Sequence, residues 1–173
     1  MLEWSYFPKT DPLPDFLKDS VDVFEKKFHL IDSFNDTEEK YVQNSDTVLQ
    51  ILSKEFQNLD YLVETGKKKN QKIRVPVLFG HKGTVSQAFE VDGWHKKNKI
   101  VLEIEAGRAF VNHQFLKDIF EASVMVDIDY LILAVRQIYK KNQDYKKIIE
   151  WLDTLFITNR IKLSLKGILL IGY

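Results

Sequence analysis

The segment Gln87–Arg108, QAFEVDGWHKKNKIVLEIEAGR, decides how the rest of the chain is read. In it Phe89 and Val91 alternate with Glu90 and Asp92, and Ile100, Leu102 and Ile104 alternate with Val101, Glu103 and Glu105. Side chains alternate across a strand, so the spacing predicts two strands, each with an apolar face and a face carrying carboxylates. Gly93 and Asn98 fall in the polar, Lys-rich link between them, where turn residues are expected. Acids gathered on one side of a sheet repel each other unless a cation lies among them.

Working outward, residues 1–14 hold Pro8, Pro12 and Pro14 and are expected to be extended. Apolar spacing at Phe16, Leu17, Val21, Phe24 and Phe28 predicts a helix from Asp15 to about Leu30, with Asp15 able to cap it. Ser33–Asp36 breaks the pattern, and Thr37 with Glu38 and Glu39 could open a short helical turn. A second helix is expected from about Ser45 to Tyr61, with Val48, Ile51, Leu52, Phe56 and Leu59 inward. Glu55 shares that face, so it needs either an ion pair with a nearby Lys or Arg or a place at the same cation as the strand acids.

Gly66-Lys67-Lys68-Lys69-Asn70-Gln71-Lys72 reads as a basic loop, and Ile73–Phe79 as a strand that Pro76 makes an edge or a bulge. Gly80-His81-Lys82-Gly83 turns into the strand that ends near Asp92, and a third strand runs from Lys99 to Glu105. After Gly107 the period becomes helical, from about Asn112 to Val126. Tyr130–Val135 is a continuous apolar run of the kind covered on both faces. A helix from Lys140 to Phe156 follows, then strand material at Ile161–Leu165 and Gly167–Gly172. Strand, crossover helix and strand imply at least one parallel pair.

The 173 residues suit one domain with a core of its own, and 45% hydrophobic with 13% aromatic content argues for a folded chain. The absence of Cys excludes disulfides, thiolate zinc sites and a Cys nucleophile. No apolar run approaches the ~20 residues of a membrane helix, so a soluble, cytoplasmic protein is expected, with no membrane partner. The zero net charge conceals a split. Residues 1–65 carry 14 Asp+Glu against 6 Lys+Arg, and residues 66–173 carry 11 against 19. One side could face a polyanion, or the charges could simply lie on solvated surfaces.

Carboxylates at i and i+2 of one strand, joined by another from the neighbouring strand, are hard oxygen ligands that suit Mg²⁺ or Mn²⁺ rather than zinc. In a tight flush hairpin closed by Gly93–Asn98, Asp92 would sit opposite Lys99, roughly 13 Å along the strand from Glu103. The site therefore requires the strands to splay or bulge, and Glu90 is held as an alternative ligand. His29, His81, His95 and His113 fall in no metal or triad spacing. There is no P-loop, no dinucleotide fingerprint and no Gly-x-Ser-x-Gly.

Asp92, ten residues, then Glu103-Ile104-Glu105 resembles the motif of the PD-(D/E)XK nuclease superfamily, in the type II restriction endonuclease-like variant with Glu-x-Glu in place of Glu-x-Lys. The order of elements over roughly residues 45–160 is similar as well. Val91 stands where the family name has Pro. The resemblance implies an α/β fold: a single restriction-endonuclease-like domain over 1–173, with a central mixed β-sheet (meander plus parallel strand) flanked by helices. It implies Asp92 and Glu103 as metal ligands, with Glu55 on the N-terminal helix as a third. It also implies that Glu105 takes over the role of the missing Lys in orienting the water.

The expected function is then metal-dependent hydrolysis of DNA phosphodiesters, of restriction or repair type, with Mg²⁺ or Mn²⁺ as cofactor and a homodimer if duplex is cut. The alternative is a catalytically silent nucleic-acid-binding or assembly module that keeps the fold. Lys67, Lys68, Lys69, Lys72, Lys96 and Lys97 are the expected phosphate contacts. Arg108 either joins them or pairs with Asp118 or Glu121. Trp94 either covers the sheet end or stacks on nucleic acid.

Overall fold

The computed structural model describes residues 1–32, 43–107 and 109–173. In chain order the elements are β1 (Glu3–Phe7), α1 (Asp15–Ile31), α2 (Ser45–Asn58), β2 (Leu62–Val63), β3 (Ile73–Phe79), β4 (Val85–Val91), β5 (Gly93–His95), β6 (Ile100–Glu105), α3 (Gln114–Val124), β7 (Tyr130–Val135), α4 (Asp144–Thr158) and β8 (Gly167–Gly172). The helical turn expected from Thr37 lies outside the described residues.

The sequences YLILAV and GILLIG of β7 and β8 are apolar at successive positions, so both their faces must be covered. They pair in parallel with each other, and β7 pairs in parallel with β6, the crossovers being α3 and α4. The sheet order is β1-β8-β7-β6-β5-β2, with β1, β5 and β2 running antiparallel to their neighbours. The architecture is α/β, a mixed central sheet flanked by helices, as the sequence implies.

The period-2 pattern of β6 divides the interior. Ile100, Leu102 and Ile104 pack with Leu17, Phe24, Val48 and Phe56 of α1 and α2. Val101, on the other face, packs with Phe115, Ile119, Ile148 and Leu152 of α3 and α4. Each fully buried Leu, Ile or Phe stabilises the fold by about 1.5–3 kcal/mol. Phe24 and Phe56 meet edge to face at 5.6 Å, and truncating Phe56 to Ala should cost about 3–5 kcal/mol. The Asn44 side chain caps α2 by accepting from the Thr47 N–H at 2.9 Å. Asp15 does not cap α1; it lies in the first turn, after Pro14, and pairs with Lys18 at 2.7 Å. Among the described residues no helix is long and apolar enough to cross a membrane.

Two expectations are corrected here and one is made specific. The single meander divides, because β3 and β4 form a two-stranded sheet of their own, with the expected irregularity after Pro76. The N-terminal stretch is extended as expected at Glu3–Phe7, where it forms β1 and pairs with the edge of the buried β8, which would otherwise leave backbone donors and acceptors unpaired. With β1 on one side of β8 and β7 on the other, β8 has no free edge for Ile161–Leu165, which stays irregular and packs with residues of α3 and α4.

Candidate functional site

Asp92 is the residue at which the chain leaves one sheet and enters the other: β4 ends at Val91 and β5 begins at Gly93. The turn of the hairpin is Lys96–Lys99, closed by Lys99 at φ 58°, rather than Gly93–Asn98. Gly93 therefore pairs with Leu102, Trp94 with Val101 and His95 with Ile100. Continued by one residue, that register sets Asp92 beside Glu103. The flush pairing with Lys99 fails because Trp94 and His95 are strand residues. His95 is buried against Tyr61, its Nδ1 accepting from the Asn98 N–H at 3.2 Å, which shapes the turn. At Gly93 the strands approach closely: a Cβ there would lie 3.2 Å from the Leu102 side chain, which would have to give by a few tenths of an ångström.

Two hydrogen bonds fix Asp92. Its carbonyl accepts from the Glu64 N–H at 2.9 Å, and its carboxylate accepts from the Ile104 N–H at 2.8 Å. Ile104 lies between Glu103 and Glu105, so the bond draws the Asp92 carboxylate to the motif of β6. Glu103 and Glu105 share the Val101 face, which α3 covers, and both are half-buried. The backbone at Glu105 is held by the Tyr173 hydroxyl, which donates to its carbonyl at 3.2 Å.

The inner face of α3 adds a fourth acid. Asp118 is 3% exposed, and its Oδ2 is buried without a hydrogen-bond partner. Its Oδ1 accepts from Gln114 Nε2 at 3.3 Å. Burial pushes Asp92 up to about 7, Asp118 to about 7 and Glu105 to about 8, and it carries Glu103 well above the usual carboxylate range. Mutual repulsion adds to this: Asp92 is the charge that most strongly opposes ionisation of Glu103, and Asp118 is the one that most strongly opposes that of Glu105. The Ile104 N–H acts the other way on Asp92.

This fold has a counterpart among solved structures. The chain is similar to the restriction endonuclease BglII, solved in complex with a DNA 16-mer, with a TM-score of 0.55 and 12% identity over 99% of this chain and 75% of that one. The fold is restriction-endonuclease-like. No protein-family model matches the sequence, and no curated protein does. Within the restriction-endonuclease-like fold the acids lie on β6, on the β4–β5 junction and on α3.

Other expected residues fall elsewhere. Glu55 does not join the acids: Lys26 at 3.0 Å and Lys27 at 3.5 Å, both on α1, take its carboxylate and hold it below the usual range. Its inward position on α2 is satisfied by the neighbouring helix. Glu90 belongs to the β3–β4 sheet, half its side chain exposed, and approaches Lys72 at 3.8 Å. Lys72 is itself largely covered and pairs with Glu64 at 2.8 Å, so it is a counter-ion beside Asp92 rather than a free phosphate ligand. Lys67, Lys68, Lys69, Lys96 and Lys97 are exposed. Lys67 pairs with Asp46 at 2.7 Å, and the Lys96 ammonium lies 4.7 Å from the centre of the Trp94 ring. Arg108 lies outside the described residues.

An all-carboxylate set with a buried, unpaired oxygen matches the chemistry of a hard divalent cation. Among the described residues no three acidic or histidine side chains converge on one point. Mg²⁺ can be held by one or two carboxylates with water completing its shell, so the chemistry of these donors is compatible with such an ion although no converged cage is formed among the described residues. Sequence reasoning missed Asp118 and Glu64. Asp118 sits three residues after Phe115 and four before Ala122, the spacing of the buried face, and that is the signal that could have found it.

Proposed function

We propose that the chain is a divalent-cation-dependent endonuclease acting on DNA, of restriction or repair type, in the Glu-x-Glu variant of the PD-(D/E)XK pattern. The observation that carries this reading is the Asp92–Ile104 hydrogen bond, which brings a carboxylate from the β4–β5 junction to Glu103-Ile104-Glu105 inside a restriction-endonuclease-like fold.

Asp92 and Glu103 would hold Mg²⁺ or Mn²⁺. When bound there, the ion would polarise the scissile phosphate and make a bound water more acidic. Burial by itself pushes Glu105 up to about 8; the charge of a bound cation would favour its ionised form, which would then orient a water and accept its proton. The apolar packing of α3 over β6 keeps bulk water from the acids, which strengthens every charge interaction among them. Lys67, Lys68, Lys69, Lys96 and Lys97 supply phosphate contacts, and a homodimer presents one site to each strand of a duplex.

Incubation with mixed DNA substrates and Mg²⁺ or Mn²⁺ should give nicks or breaks that EDTA abolishes. The absence of a converged three-acid cage among the described residues favours one rival, a module that binds DNA without cutting it. DNA that stays intact across many sequences and both metals, while still bound, would establish that rival instead.

A further inference from the structure

The β3–β4 ribbon stands apart from the six-stranded sheet, and its two ends differ in character. At its base Ile73 pairs with Val91, the neighbour of Asp92, and Val75 and Val91 are buried in the core with Phe115 and Ile119 of α3. Midway along, the Val126 N–H, just past the end of α3, donates to the Pro76 carbonyl at 2.9 Å. Beyond that anchor the ribbon opens to solvent, and residues 78–87 are all exposed. Leu78, Phe79 and Val85 are each more than half exposed. A two-stranded ribbon is marginal in water by itself, and large apolar side chains grouped at its tip mark a contact surface. The charge there has one sign: residues 73–89 hold Arg74, His81 and Lys82 and no Asp or Glu. Among the described residues the side chains of Arg74, Lys82, Ser86 and Gln87 have no ion pair or hydrogen bond.

We propose that the β3–β4 ribbon lies in the major groove of a duplex whose backbone passes Asp92 and Glu103, with Gln87 reading a base edge. The major groove admits a two-stranded ribbon, and there thymine methyls take apolar contacts while a Gln amide makes a bidentate pair with adenine. Leu78, Phe79 and Val85 supply the first kind of contact and Gln87 the second. Arg74 and Lys82 reach the flanking phosphates. Seven residues of strand at about 3.3 Å each carry the tip at most about 23 Å from its base, or about seven base pairs along a duplex. Because the base of the ribbon is joined to Asp92, the bases read and the phosphate attacked lie on one stretch of DNA. A second copy of this chain suits the tip less well, since a two-fold contact would set the like charges of two identical tips against each other. The inference rests on the DNA-cutting reading of the fold and makes its substrate a duplex.

The test is photo-crosslinking of the full chain, with Ca²⁺ in place of Mg²⁺, to random-sequence duplexes carrying 5-iodouracil at thymine positions, the attached residues being mapped by mass spectrometry. The iodine takes the place of the thymine methyl in the major groove, so crosslinks should fall on residues 78–87. With Mg²⁺, sequencing of the cut ends should show a base preference that Gln87→Ala weakens by about tenfold or more, as loss of one bidentate pair implies. Should Gln87→Ala fail to fold, as judged by circular dichroism, the crosslinks to the unsubstituted chain decide. Duplex that is bound and cut, with crosslinks that avoid residues 78–87 and a preference that Gln87→Ala leaves unchanged, overturns the inference and leaves the nuclease reading intact. A dimer that Phe79→Ser separates in light scattering, with DNA affinity unchanged, overturns it in favour of a second copy. Crosslinks on the ribbon without cutting support the inference and overturn the nuclease reading. Duplex neither bound nor cut overturns both.

Discussion

The Asp92 carboxylate accepts a hydrogen bond from the Ile104 N–H at 2.8 Å, replacing a backbone acceptor that the partner strand does not supply. β5 stops pairing with β6 at Gly93, and the side chain of the next residue outward continues the pairing in place of the main chain. One bond thus ties off a sheet edge and sets two acids side by side.

This double role separates two substitutions at Asp92. Asn keeps an oxygen for the Ile104 N–H while removing the charge. Asp92→Asn should therefore fold, melt no lower than the parent at pH 8 without cations, and lose cleavage. Asp92→Ala leaves a buried N–H unpaired and should cost about 1–3 kcal/mol besides. Thermal melts and a plasmid-nicking assay on the two variants check this. A melting point for Asp92→Asn as low as that of Asp92→Ala would mean that the hydrogen bond depends on the charge.

The pH dependence of stability has a definite sign. Burial holds Asp92 and Asp118 at about 7 and Glu105 at about 8, whereas unfolded carboxyls titrate near 4. Between these limits the folded chain carries more protons than the unfolded one, so the stability these groups contribute is present at low pH and lost as pH rises through 7 to 8. In EDTA the chain should melt lower at pH 8.5 than at pH 5.5. Mn²⁺ at 100 times its dissociation constant should restore about 2.7 kcal/mol at pH 8.5, or roughly 5–10 °C for a chain of this size. A melting curve indifferent to both pH and Mn²⁺ would show that the acids ionise freely.

Where the sequence was legible, one period dominated. The alternation of β6 and the unbroken apolar run of β7 fix a mixed sheet covered on both faces, and the apolar spacing of α1 to α4 finds every helix to within a few residues. What failed depended on register and on partners distant in sequence. Gly93–Asn98 has the composition of a turn, but the packing of His95 on Tyr61 moves the turn to Lys96–Lys99 and so carries Asp92 to Glu103. Glu55 lies on an inward face, as its spacing says, but that face meets two lysines of α1. Lys72 belongs to a basic run, and only the fold reveals Glu64 beneath it. Asp118 was hidden because an acid in a helix is ordinarily on the solvated side.

Glu55 and Glu105 make a matched contrast. Glu55→Gln removes a charge paired with Lys26 and Lys27, away from the acids, and should leave DNA cleavage within about twofold of the parent while lowering the melting point slightly, as expected of an exposed ion pair. Glu105→Gln is equally conservative in shape, yet it removes the proposed proton acceptor and should abolish cleavage with the fold retained. Equal activities in the two variants would show that Glu105 is a bystander and that the motif has been assigned to the wrong strand position.

Binding to DNA can be tested apart from chemistry, with Ca²⁺ in place of Mg²⁺ or Mn²⁺. Lys67, Lys68 and Lys69 lie exposed on one loop, and Lys96 and Lys97 on the hairpin turn. Each phosphate they neutralise releases counterions, so log affinity should fall against log salt with a slope of about −0.9 per neutralised phosphate on duplex DNA. Changing Lys67, Lys68 and Lys69 to Glu should weaken binding most at low salt and flatten the slope by up to about 3, roughly one for each lysine reversed. Lys72→Gln makes the control, because that ammonium is already neutralised by Glu64 and faces the acids rather than solvent. It should leave the slope unchanged while raising the melting point's sensitivity to pH, since a counter-charge beside Asp92 has gone. If Lys72→Gln flattens the slope and the triple loop variant does not, the phosphate-binding surface runs through the acid cluster and the basic loop is only solvated surface.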